Sequence, residues 1–121
     1  MSGKCSILKG IKLITEQAFI DMALSLNGTE TTPHFERTGF RVIGKRMFAS
    51  YLQKNNTANI FLSLEEQKLF CELDEKHIYP VPNKWGEKGI TTFELDHVKK
   101  EFVMEALLSA YNEVIQYKKK K

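Results

Sequence analysis

Two cysteines in 121 residues, Cys5 and Cys71, leave no room for a disulfide framework. They stand far apart and in no CxxC or other metal-ligand spacing, so both read as reduced thiols. No window comes near the roughly 18 uninterrupted apolar residues of a membrane span, which argues against a membrane partner. Lys4, Lys9 and Lys12 interrupt every apolar core that a signal peptide would need, and the expectation is a cytoplasmic protein. Without export, the triplets Asn27-Gly28-Thr29 and Asn55-Asn56-Thr57 carry no glycosylation meaning. The three histidines, His34, His77 and His97, share no ligand spacing. His34, Glu36 and Cys71 lack the PCxxC that completes a zinc deaminase site. No metal and no cofactor are expected, and no carboxylate pair or activated nucleophile argues for catalysis.

Excess charge is also scarce. The net charge is +3, but four of the 18 basic residues are the terminal run Lys118 to Lys121. Without them 14 basic residues face 15 acidic ones, a body near −1. Nucleic-acid modules usually carry a basic face on the fold itself, so any such face here must be local. The lysine run reads as a solubilising tail that also suits the negative end of a last helix, with general attraction to polyanions as its second reading.

The chain holds one tryptophan, in Tyr79-Pro80-Val81-Pro82-Asn83-Lys84-Trp85-Gly86-Glu87-Lys88-Gly89. Pro80 and Pro82 fix φ and withhold amide donors, which predicts a shaped loop rather than helix or central strand. Trp85 is then either a lid folded over the sheet or last helix, the plainer reading, or a stacking surface with Lys84 and Lys88 beside it for phosphates.

Periodicity organises the rest as one domain over residues 1–121, with an N-terminal extension (1–14) and the basic tail (118–121). Thr15 caps a first helix whose stripe is Phe19, Ile20, Ala23, Leu24 and Leu26, stopped at Asn27-Gly28. Period-two alternation then predicts a hairpin through Gly44-Lys45 with Gly44 first in a type II′ turn. That turn pairs Val42 with Met47, Arg41 with Phe48 and Phe40 with Ala49. Phe40, Val42, Met47, Ala49 and Tyr51 fall on a core face. Arg41, Ile43, Arg46, Phe48, Ser50 and Leu52 fall on a mixed face, where Arg41 and Phe48 could make a guanidinium–ring contact. This face is either ordinary solvated strand or a ligand surface. Gly39-Phe40-Arg41-Val42-Ile43-Gly44-Lys45 also fits the start of a phosphate-binding loop, but Arg46 stands where Ser or Thr is needed and the interior alternates like a strand.

A third strand at Asn59–Leu62 follows. Ser63-Leu64-Glu65-Glu66 then opens a helix to about Leu73 as a capping box, with Leu64, Leu69, Phe70 and Leu73 on its apolar side. Extended segments follow at Ile78–Val81 and Ile90–Leu95. Asp96 caps the longest helix, about Val98 to Gln116. The order helix, three strands, helix, two strands, helix predicts an α+β two-layer sandwich, an antiparallel sheet packed with helices.

These residues resemble the MmcQ/YjbR-like family of small bacterial proteins. The resemblance is carried by Pro33-His34-Phe35, Gly39 to Ala49, Leu64-Glu65-Glu66-Gln67, Tyr79 to Gly86 and Ser109-Ala110-Tyr111. It implies a sheet packed against helices in an arrangement likened to type III secretion chaperones and to a double-wing DNA-binding shape. The family is commonly labelled DNA-binding, without an agreed substrate or catalytic motif. The resemblance together with the residues implies a non-enzymatic module whose nucleic-acid-binding residues are Arg41, Arg46, Phe48, Lys84, Trp85 and Lys88. The alternative is a protein-interaction or chaperone-like module, a homodimer among its forms, using Ile43, Phe48 and Leu52.

Overall fold

A computed structural model describes residues 14–34 and 36–116. The readings of Cys5, of the N-terminal lysines, of Phe35 and of the tail Lys118 to Lys121 lie outside these residues. Thr15 Oγ1 accepts from the Ala18 amide at 3.1 Å and starts α1 (Glu16–Leu24) as the sequence predicts. Four strands follow: β1 (Thr29–His34), β2 (Arg37–Val42), β3 (Met47–Leu52) and β4 (Thr57–Phe61). Ser63 caps α2 (Leu64–Leu73), accepting from the Glu66 amide at 3.2 Å. Then come β5 (Ile78–Pro80), a single helical turn α3 (Lys84–Glu87), β6 (Ile90–Glu94) and α4 (Lys100–Gln116).

The sheet runs β1-β2-β3-β4-β6-β5, antiparallel throughout, with α4 lying against β3 and its neighbours. This is the expected α+β sandwich with two additions. β1 pairs Pro33 opposite Thr38 at the sheet edge, where a missing amide costs little. Pro80 likewise sits in the other edge strand. The turn α3 forms past both prolines, capped by Asn83, whose Oδ1 accepts from the Trp85 amide at 2.8 Å.

The hairpin differs from its predicted register in a compensated way. Phe40 faces Ala49 as expected, but Arg41 faces Met47, with a bulge between. The turn holds one more residue than predicted: Lys45 N donates to Val42 O at 2.7 Å, and Val42 N donates to Arg46 O. Gly44 is third in that turn with φ +80, as a type II turn needs, rather than first in a II′ turn. The extra β3 residue is Phe48, and the bulge turns it to the helix-covered side. There it is fully buried with its ring edge-on to Tyr111 of α4 at 6.0 Å. Met47 takes the opposite face, which corrects the sequence assignment of both residues.

Two helices also differ in detail. α2 buries Phe70 and Gln67 but displays Leu64, Leu69 and Leu73, each more than half exposed, so its expected apolar side is largely solvent-facing. Asp96 does not cap α4, which starts at Lys100. Its Oδ1 instead accepts from Asn56 Nδ2 at 2.8 Å, and the same amide nitrogen reaches Ile14 O at 3.1 Å. Asn56 has φ 54, a conformation Asn tolerates better than most residues, and accepts the Tyr51 hydroxyl at 2.5 Å. The covered face holds Phe40, Phe48, Ile60 and Phe93, all fully buried. Among the described residues no helix is long and apolar enough to cross a membrane.

Candidate functional site

The side of the sheet away from α4 carries a different set of residues. Gly39, Ser50, Asn59 and Thr92 are neighbours across β2, β3, β4 and β6. Thr92 Oγ1 donates to Asn59 Oδ1 at 2.8 Å, and Arg37 Nε donates to Ser50 Oγ at 2.9 Å. At the Ile90 end of the sheet this face meets α3 and forms a groove of two adjoining cavities. One, about 430 Å³, is lined by Arg46, Met47, Phe61, Trp85, Lys88 and Glu113 among others. The second, about 330 Å³, shares Met47, Phe61, Trp85 and Ile90 with the first and adds Arg37, Ser50, Asn59 and Asn83.

Trp85 stands over this groove 57% exposed, which corrects the reading of it as a folded-back lid. Its position is set from below. Gln67 of α2, nearly buried, donates through Nε2 to Gly86 O at 2.9 Å and to Ile90 O at 3.3 Å. Gly86 passes so close to Val81 that a Cβ would lie 1.9 Å from the Val81 carbonyl oxygen. Gly89, at φ +111, packs as tightly on Leu62. The ring is therefore presented by a backbone with little freedom to move, as a preorganised contact requires.

Of the six residues expected at the site, the groove brings together Arg46, Trp85 and Lys88. Lys88 Nζ lies 5.4 Å from the Trp85 ring centroid, a cation–π distance. Lys84 is exposed at the start of α3 but lines neither cavity. Arg41 is exposed and paired with Glu30 of β1, Nε to Oε2 at 2.6 Å, so much of its charge is already answered. Phe48 belongs to the core.

Sequence reasoning missed Arg37, Gln67 and Asn83. Arg37 shares the parity of Gly39 and Arg41, so extending the alternation two residues upstream would have placed it on this face. Its Nη2 atom is buried without a hydrogen-bond partner among the described residues. Burial also lowers the pKa of the guanidinium, with the nearby Glu36 charge acting against that shift. Arg37 as a residue lines the second cavity, where a guanidinium is a donor for an anionic or carbonyl oxygen. Cys71 is half-buried and its thiol is pushed up in pKa by burial, which suits an inert packing residue.

The comparisons add a fold relative. The chain is similar to Deinococcus radiodurans protein DR2400, whose crystal structure holds a DUF419 domain. The two superpose with a TM-score of 0.75 at 23% identity, covering 90% of this chain and 84% of that one. No protein-family model and no curated protein matches. At that identity the likeness establishes the fold alone.

Proposed function

We propose that this protein is a non-enzymatic binding module whose groove around Trp85 takes a single-stranded stretch of nucleic acid. The observation behind this reading is an exposed Trp85 ring on a tightly packed backbone, with Arg46 and Lys88 lining the same cavity and Arg37 lining its neighbour. A base stacks on the ring, the two exposed cations meet flanking phosphates, and Arg37 and Asn83 offer donors to base or sugar oxygens. A groove with one large ring suits an unpaired base better than a duplex, whose bases are already stacked. The near-neutral body fits a short contact of a few phosphates rather than a long basic track. The resemblance to MmcQ/YjbR-like proteins, a family commonly labelled DNA-binding, supports the nucleic-acid part of this reading.

The test is the affinity for a short labelled single-stranded oligonucleotide, by fluorescence anisotropy, over a range of salt. Log affinity should fall by about 0.7 per log salt for each phosphate neutralised. Arg46→Glu and Lys88→Glu should each weaken binding, and deletion of Lys118 to Lys121 should leave most of it. Binding that ignores both reversals and disappears with the tail would refute the groove. In that case the exposed leucines of α2 and a mass measurement in solution become the next test, for a protein-interaction role.

A further inference from the structure

His77, Glu94 and His97 each offer a ligand atom, and these atoms all lie within 4.8 Å of one another. Their separation in the sequence hid this grouping, which the backbone creates. β5 and β6 pair Ile78 with Phe93, so the next pair outward brings His77 beside Glu94. Glu94 N donates to His77 O at 2.9 Å, and His97 N donates to Glu94 O at 2.9 Å. One residue's main chain thus fixes the Cα positions of all three.

Two of the three side chains are also held from behind. Asp74 carboxylate oxygens lie 3.0 and 3.2 Å from His77 Nδ1, which fixes the proton on Nδ1 and leaves Nε2 as the lone-pair donor. Tyr79 donates its hydroxyl to Glu94 Oε2 at 2.5 Å, leaving the other carboxylate oxygen for a second partner. A carboxylate behind a histidine is the usual outer support of a metal ligand. The His77 and His97 rings stack at 4.4 Å, 21° from parallel, with His97 on the exposed side. Stacked rings do not aim their lone pairs at one point, so His97, the exposed ring, turns out of the stack for both nitrogens to reach the 2.0–2.1 Å that zinc requires.

We infer that His77, Glu94 and His97 form a site for a late first-row divalent cation, zinc by the chemistry of two imidazoles and one carboxylate. Three protein ligands leave a position open to water or to a ligand atom from outside. The site lies at the Glu94 end of β6, about 13 Å along the strand from Ile90 in the groove. It therefore stands or falls independently of the nucleic-acid reading.

The experiment is calorimetric titration of the full chain with Zn²⁺, repeated with Co²⁺ while recording the visible spectrum. One cation should bind per chain, and the cobalt complex should show the intense bands of low coordination number. His77→Ala and His97→Ala should each abolish measurable binding. Asp74→Ala, which removes only the outer support, should weaken binding by about 10–100-fold. Circular dichroism melts establish that each variant is folded, and His97, being exposed, is the variant least able to disturb the fold. No stoichiometric binding to the parent chain, or binding that survives both histidine substitutions, would overturn the site.

Discussion

Across the helix-covered face of the sheet, Phe40, Ala49 and Ile60 stand in one cross-strand row and Tyr51, Ala58 and Phe93 in the next. Across the other face the same strands present Gly39, Ser50, Asn59 and Thr92. The first row is held by packing that tolerates no slip, since a one-residue shift would move every apolar side chain to solvent. The second is held by a few polar contacts, Arg37 to Ser50 and Thr92 to Asn59, and leaves space for a ligand. At Phe48 the two faces exchange a residue. The bulge gives the covered face one more aromatic ring and gives the open face Met47, which floors both cavities. Stability is concentrated on one side, and the other side is free to carry chemistry.

The strongest attempt to break this contrast is Phe48→Ala. On the covered face it should cost about 3–5 kcal/mol, read by urea denaturation. A loss under about 1 kcal/mol would return Phe48 to the open face, as strict alternation has it. Gln67→Ala sharpens the link between the faces. It leaves Gly86 O and Ile90 O without their side-chain donor and should cost about 1–3 kcal/mol. It should also shift Trp85 emission, whereas an unchanged spectrum would mean that Gln67 does not position the ring.

A smaller effect belongs to Tyr79, whose pKa is pushed up to about 12 by burial and by its hydrogen bond to Glu94. A raised pKa means that the folded state favours the neutral phenol. The contribution is complete below the unfolded value near pH 10 and is lost as pH rises towards 12. Thermal melts should fall through this window, and Tyr79→Phe should flatten that fall. Smallest is Arg41→Ala. Its exposed pair with Glu30 is worth under about 1 kcal/mol, and oligonucleotide affinity should hardly change. A large loss of affinity would extend the interface across β2.

The covered face was legible because hydrophobic periodicity is a direct image of burial. Thr15, Ser63, the core positions of β2 and the long final helix all follow from pattern and capping chemistry. What escaped was whatever leaves no apolar pattern, departs from strict alternation or depends on contacts distant in sequence. β1, rich in threonine and containing Pro33, has no apolar alternation to betray it. Two local deviations at the hairpin, one added turn residue and one bulged residue, cancel beyond Phe40 and so leave the outer register unaltered. At the site, Arg46, Trp85 and Lys88 were named because cations and a lone aromatic stand out in any sequence. Gln67 was not, since nothing local tells a helical glutamine that it will lie beneath a glycine 19 residues away. The His77–Glu94–His97 grouping was hidden for the same reason, being made by the pairing of β5 with β6.

The central claim is that the exposed face of Trp85 is a binding surface, and the ring is its own reporter, as the chain's single tryptophan. The decisive measurement is its fluorescence during titration with a short single-stranded oligonucleotide, at low and at physiological salt, with and without Lys118 to Lys121. Saturable quenching that persists without the tail, weakens with salt and needs more oligonucleotide in Lys88→Glu is the predicted result. An emission spectrum indifferent to the oligonucleotide at low salt, or quenching that departs with the tail, would contradict it.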